Sequence, residues 1–249
     1  MVSQPIRAST RGLLVTDVDD TLIGDDESLA TFVHFAERAP DFRYVLNSSR
    51  PIRSVIGTLR GLAVTLRPAG IIGAMGTEIV LGDTVDEDWQ QRFSSWDRTI
   101  VDRIMYELGA KAHDDEYQTP YKASYSVPRE HQPAAIDAIR QAGQPYRIVS
   151  SGITDFDVLP EGAGKGAATL RCVKLLGSTI DDLVVAGDSA NDLDLFRVSH
   201  KGIVVGNARP ELRDQVNGSS IYHATNSFAA GILEGLGYWG IMPHRTDRK

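Results

Sequence analysis

The sequence predicts an α/β protein, a doubly wound parallel sheet with helices on both faces and a smaller α+β unit inserted into it. Three observations carry that expectation. Short apolar runs such as LLVTDV (13–18), RYVLN (43–47) and DLVVAGD (182–188) alternate with segments of helical periodicity. Strands separated by helices imply a parallel sheet with helical crossovers. Between roughly 84 and 160 the alternation breaks, and it returns afterwards. The chain has 249 residues, 42% hydrophobic and 24% charged, enough to bury such a sheet in an ordinary globular composition.

Taken in order, LLVTDV reads as a buried strand. Leu29, Phe32, Val33 and Ala36 then fall at i, i+3, i+4 and i+7, one face of a helix. RYVLN is the second strand, and Pro51 opens a helix running to about Leu62, since its fixed φ suits a first turn. GIIGA (70–74) is the third strand, followed by a hairpin over TEIVLGD. The irregular middle reads as one long helix over 89–109, a strand in KASYSV (122–127), a helix near 133–142, and strands YRIVS and DFDVL. A helix from Gly166 to about Leu176, strand DLVVAGD, helix NDLDLFRV, strand GIVVG and a final helix near Phe228–Leu236 complete the pattern. The predicted division is a Rossmann-like core over 1–83 and 161–249, with 84–160 as the insert.

Composition narrows the function classes. The net charge is −7 and the basic residues are scattered, so the phosphate backbone of nucleic acid is not an expected partner. No apolar run approaches the roughly 20 residues of a membrane helix. The opening MVSQPIRASTRG carries no apolar stretch, so no secretory signal is expected and the cytoplasm is the expected compartment. Cys172 is the single cysteine, which excludes an internal disulfide and a cysteine-rich zinc site.

Ligands of α/β proteins bind at the carboxyl ends of parallel strands. Four polar groups fall there: Asp17 with Asp19, then Ser48, then Lys165, then Asp188 with Asn191 and Asp192. Two carboxylates about 4 Å apart repel by about 4 kcal/mol at an effective dielectric near 20. A bound Mg²⁺, which takes hard oxygen ligands, reverses that balance. Lys165 opens a helix, where the macrodipole disfavours a cation by roughly 0.3–1 kcal/mol unless the lysine and the helix amides share an anion. Taken singly, Asp19 or Asp20 reads as a cap, Ser48 as a turn residue and Lys165 as a solvated surface lysine. The ordered set is what points to chemistry. GAGKGA (162–167) fits the dinucleotide pattern, with Asp181 and Asp182 at a suitable distance downstream. Pro160 interrupts its approach from a strand, however, and Gly166 stands where a Walker motif needs Ser or Thr, so nucleotide binding is not expected.

In this order DVDDT, Ser48, Lys165 and GDSAND (187–192) resemble the four motifs of the haloacid-dehalogenase-like phosphatases. MGTEI (75–79) and SSGITDFDVLPEGAGKGAA (150–168) resemble the sucrose-phosphate phosphatase group within them, which includes the mannosylfructose-phosphate phosphatases. The resemblance implies that the insert is a cap and that Asp17 attacks phosphorus to form an aspartyl-phosphate. It implies that Asp19 protonates the departing oxygen and later activates water. It also implies Mg²⁺ held by Asp17, the Asp19 backbone carbonyl, Asp188 and Asp192. Ser48 and Lys165 would hold the phosphoryl oxygens, and Asn191 would orient Lys165 or the sugar. The family's second motif usually reads Thr-Gly-Arg where this chain has Ser48-Ser49-Arg50, so Ser49 enters as a phosphate donor in place of a glycine. Lys122, Tyr125, Ser151 and Asp155 are the candidates for sugar contact, because polar side chains there alternate with apolar ones.

The implied activity is hydrolysis of a fructose-containing disaccharide phosphate, with a small-molecule sugar phosphate as the partner and a monomer as the expected state, a homodimer being the alternative. The rival readings are a general hexose-phosphate or phosphoglycolate phosphatase, a phosphomannomutase, and a non-catalytic sugar-phosphate sensor. The pair Asp17 and Asp19 argues against the sensor, because binding alone does not need both.

Overall fold

The computed structural model describes residues 12–143 and 145–242, so the expectation about a secretory signal, which concerns the first 11, lies outside it. The first half of the core contains β1 (Gly12–Thr16), α1 (Asp26–Arg38), β2 (Phe42–Asn47), α2 (Ile52–Arg60), β3 (Gly70–Gly73), β4 (Glu78–Leu81), β5 (Thr84–Val85) and α3 (Glu87–Gln91). The insert contains α4 (Arg98–Glu107), β6 (Lys111–Ala112), β7 (Ala123–Ser126), α5 (Gln132–Gln141), β8 (Tyr146–Ser151) and β9 (Asp155–Pro160). The chain then returns through α6 (Lys165–Leu175), β10 (Leu183–Gly187), α7 (Leu193–Phe196), β11 (Gly202–Val204), α8 (Pro210–Arg213), β12 (Ile221–His223) and α9 (Phe228–Tyr238).

The core sheet runs β12–β11–β10–β1–β2–β3–β4–β5, parallel from β12 to β3, with β4 and β5 joined antiparallel at the edge. Every residue of β1 and of β10 is buried, as strands covered by helices on both faces require. β1 pairs with β2 on one side and with β10 on the other, so the chain leaves it in opposite directions. That reversal is the topological switch point where open α/β sheets bind ligands. α1 shows how local sequence serves the core. Asp25 caps it by accepting from the Ser28 amide at 2.8 Å, and Asp26 and Glu27 in the first turn suit the dipole. Its buried face sets Phe32 edge-on to Tyr44 of β2, ring centroids 5.2 Å apart.

The insert folds as an antiparallel sheet, β6–β7–β9–β8. It has its own apolar core, in which Val101 and Met105 of α4 meet Ala123, Tyr125, Phe156 and Val158 of the sheet. Three sequence expectations are corrected here. The helix over 89–109 is two helices, because Asp97 accepts from the Thr99 amide at 2.9 Å and starts α4 afresh. The segment NDLDLFRV is a 3₁₀ turn, Ala190–Asp192, leading into the short α7, because the Asp192 carboxylate turns back onto the amides of Asp188 and Ser189. The boundary at residue 84 also moves. Thr84–Val85 is the edge strand of the large sheet, and Trp89 and Phe93 bury in the main core, so the insert's own core begins at Trp96.

Candidate active site

Asp17 follows β1, Ser48 follows β2, Lys165 opens α6, and Asp188 and Asp192 follow β10, so the four predicted motifs converge at one end of the sheet. Lys165 is fully buried and sits at their centre. Its Nζ lies 2.6 Å from Asp17 Oδ1, 2.6 Å from Asp192 Oδ1 and 2.8 Å from Asn191 Oδ1. Burial works to discharge the ammonium, but Asp17 and Asp192 outweigh it and hold its pKa above the ordinary lysine value. Asp188 makes no ion pair among the described residues, and Lys165 opposes its shift only in part. Burial, with repulsion from Asp17 and Asp192, pushes its carboxyl up to about 7, and Thr21 Oγ1 donates to it at 3.2 Å. Burial likewise raises Asp192, opposed by Lys165.

One oxygen from each of Asp17, Asp188 and Asp192 lies within 4.8 Å of the others, and all three residues are buried. Three buried carboxylates against one ammonium leave excess negative charge, and an all-oxygen donor set suits a hard divalent cation. The residues therefore fit a metal of the Mg²⁺ kind. Gly187 leaves room for this arrangement, since a Cβ there would stand 2.6 Å from Asp192 Oδ2.

Ser48 is buried, and its Oγ accepts from the Arg50 amide at 3.1 Å. Ser49 lines the adjoining cleft. Asp19 is half-exposed, and Arg50, which lines the cleft, grips both its oxygens at 2.8 Å while also donating to Thr58 Oγ1 at 2.8 Å. Desolvation raises the Asp19 carboxyl, with Arg50 opposing and Asp17 reinforcing it. Asp20 is a turn residue with φ 60°, a region that Asp tolerates better than most side chains, and its carbonyl accepts from Asn207. Arg50 belonged to the quoted Ser48-Ser49-Arg50 triplet but received no role from sequence. Its pairing with Asp19 spans 31 positions and leaves no local signal.

A cleft of about 450 Å³ lies between the insert and the core. Ser49, Arg50 and Asn191 form its floor, and Lys122, Ser151 and Asp155 of the predicted sugar set line its roof. His113, Tyr117 and Asp157 also line it and were missed. Lys122 is buried, donating to Ser124 Oγ at 2.5 Å and lying 3.2 Å from Asp157 Oδ1. Tyr125 is the correction in this set. It lies on the opposite face of β7, buried with Ala123 and Val127, and its hydroxyl donates to Asp102 of α4. Strand alternation already separates it from Lys122, Ser124 and Ser126.

The glycines of GAGKGA serve packing. Gly164 precedes α6 with φ 141° and no side-chain cap, and a Cβ on it would stand 2.5 Å from Arg147 Nη1 and from Asp194 Oδ2. Behind Lys165, Asn47 Nδ2 donates to the Lys165 carbonyl at 3.1 Å and to Thr169 Oγ1 at 3.2 Å, and the Thr169 hydroxyl donates to the same carbonyl at 2.8 Å. Asn47 Oδ1 is buried without a hydrogen-bond partner among the described residues. A stranded acceptor of that kind costs about 1–3 kcal/mol.

An acidic loop at the switch point, a buried lysine beside it and an inserted unit over a polar cleft are the arrangement of a phosphoric monoester hydrolase of haloacid-dehalogenase fold. A family model described as sucrose-6F-phosphate phosphohydrolase matches residues 10–240, and the chain belongs to that family. It is 33% identical to a mannosylfructose-phosphate phosphatase of Agrobacterium fabrum over 93% of this chain and 98% of that one. It is 29% identical to sucrose-phosphatase 2 of Nicotiana tabacum over 98% of this chain, which spans 62% of the tobacco protein. The crystal structure of the sucrose-phosphatase from Synechocystis, in complex with sucrose and phosphate, superposes with a TM-score of 0.85 at 28% identity, covering 92% of this chain and 98% of that one.

Proposed function

We propose that the protein removes phosphate from a disaccharide phosphorylated on its fructosyl unit, with sucrose phosphate and mannosylfructose phosphate as the two forms to distinguish. The observation that carries the phosphoryl half is the convergence on buried Lys165, whose Nζ reaches Asp17, Asn191 and Asp192. The family match, the names of the relatives and the sucrose and phosphate in the Synechocystis structure support the sugar half. The cleft is large enough for a disaccharide head and is lined by paired polar groups rather than apolar walls.

In the first step an Asp17 oxygen attacks phosphorus, the bond from phosphorus to the sugar oxygen breaks, and Asp19 gives that oxygen its proton. In the second, water attacks the aspartyl-phosphate, Asp19 takes the water's proton, and Asp17 leaves as carboxylate. Ser48, Ser49 and Lys165 hold the phosphoryl oxygens, and Asn191 steers the Lys165 ammonium toward them. Asp17, Asp188, Asp192 and the Asp19 carbonyl would hold Mg²⁺, which when bound neutralises the phosphoryl charge beside Asp17. Arg50 holds the Asp19 carboxylate in place between the two steps. Lys122, Ser151 and Asp155 contact the sugar from the insert.

Phosphate release measured across sucrose, mannosylfructose, trehalose, glucose and fructose phosphates tests this. The expected result is a preference of about 100-fold, about 2.7 kcal/mol, for one fructose-containing disaccharide. Equal rates on glucose phosphate overturn the disaccharide assignment. Asp17→Asn should abolish turnover, and retained activity overturns the nucleophile.

A further inference from the structure

We propose that Asn47 is a positioning residue for Lys165, holding the first turn of α6 from behind and so fixing where the ammonium stands. The proposal rests on the reading of Lys165 as a phosphoryl ligand. A lysine that must meet Asp17, Asn191 and Asp192 within 2.8 Å needs a fixed backbone, because its four-carbon stem otherwise samples many rotamers. The amide side of the first turn is held from α7: Gly164 offers no side-chain cap, and Asp194 Oδ2 accepts from the Gly166 amide at 3.0 Å. Asn47 holds the carbonyl side from β2, donating to the Lys165 carbonyl at 3.1 Å and to the Thr169 hydroxyl at 3.2 Å.

The orientation of the amide is fixed by its partners. Its nitrogen must face the Lys165 carbonyl, since an oxygen there would repel it, and that leaves Oδ1 buried with no donor among the described residues. Leucine keeps the branching of asparagine in a bulkier, wholly apolar side chain and strands no acceptor, so packing alone gives no reason for an amide here. Placement in the chain gives the amide its use. Ser48 follows Asn47 directly, and successive residues of a strand point to opposite faces. One strand end therefore carries a phosphoryl hydroxyl on one side and the lysine's anchor on the other. Residues Ala74, Met75 and Gly76 brace the same pair of loops. All three are buried at positive φ, the Met75 amide bonds the Ser48 carbonyl at 3.2 Å, and Gly76 lies against the Gly164 carbonyl so closely that a Cβ would come within 2.2 Å of it.

Asn47→Leu, Thr169→Val, Thr169→Ser and Lys165→Met, each assayed as the full chain with sucrose phosphate, test the proposal. Asn47→Leu should lower kcat about 10- to 100-fold, the scale on which a small misplacement acts. Inhibition by inorganic phosphate should weaken comparably, inhibition by free sucrose should stay unchanged, and the melting temperature should hold or rise. Thr169→Val should follow it, and Thr169→Ser, which keeps the hydroxyl, should restore the rate. A lower melting temperature with kcat and phosphate inhibition within twofold of the native enzyme marks Asn47 as structural and overturns the proposal. If Asn47→Leu does not fold, the Thr169 pair decides, and equal rates for the two overturn it. Activity in Lys165→Met would instead overturn the phosphoryl reading of Lys165, whatever Asn47 does.

Discussion

Asp188 is a buried carboxylate set beside two others, and on the proposed function it is the residue through which pH and cation binding are linked. Its folded pKa of about 7 lies above the ordinary carboxylate value near 3.9. Between those two values the folded protein takes up a proton that the unfolded chain does not. The contribution to stability is therefore full below about 4 and is lost as pH rises through about 7. A cation at the cluster must displace that proton, so its binding strengthens as pH rises. The rise in melting temperature caused by Mg²⁺ should be larger at pH 8 than at pH 6, measured by thermal unfolding with and without chelator. An equal shift at both pH values would remove Asp188 from the metal set. Asp20 shows the other side of reading single residues. Its carboxylate made the cluster of acids look larger, but its φ of 60° marks a turn position.

At the scale of elements, sequence legibility followed periodicity. The predicted strands and helices of the core stand where apolar residues recur at a clear period, and β7 carries that logic into the insert. One face of β7 carries Ser124, buried between Lys122 and Asp157, and Ser126, which lines the cleft; the other buries Ala123 and Tyr125. Lys122→Met should therefore raise KM for the disaccharide phosphate about 10-fold while leaving hydrolysis of a small aryl phosphate unchanged. An equal loss on both substrates would place Lys122 in the phosphoryl chemistry instead. Tyr125 is one position out of phase with the polar alternation along β7, and its side chain falls on the buried face with Ala123. The break at 92–97 was hidden for a different reason. Apolar spacing continues across it through Phe93 and Trp96, and only the Asp97 cap, a contact of two residues' reach, marks a new helix. Arg50 and Asn47 were illegible as partners because their bonds to Asp19 and Lys165 span 31 and 118 positions.

At the scale of the whole molecule, the insert meets the core through an apolar seam, where Leu159 of β9 joins the main core and Val149 and Tyr121 pack against it, and through named polar bonds. Arg53 of α2 donates to the carbonyls of Asp115 and Gln118 at 2.8 Å each, and Arg147 of β8 pairs with Asp194 of α7 at 2.9 Å. Lids held by such contacts open and close at modest cost. Arg53→Ala should raise KM several-fold for the disaccharide phosphate with little change in melting temperature; a large loss of stability would show instead that the contact is part of the folding core. The two apolar cores are separate clusters, and Tyr121 packs against both. Heredity meets this arrangement as two nearly independent problems. On the proposed function, substitutions on the polar face of the insert alter the sugar contacts while Asp17, Ser48, Lys165, Asp188 and Asp192 stay in the core, so sugar preference can change with the phosphoryl site kept.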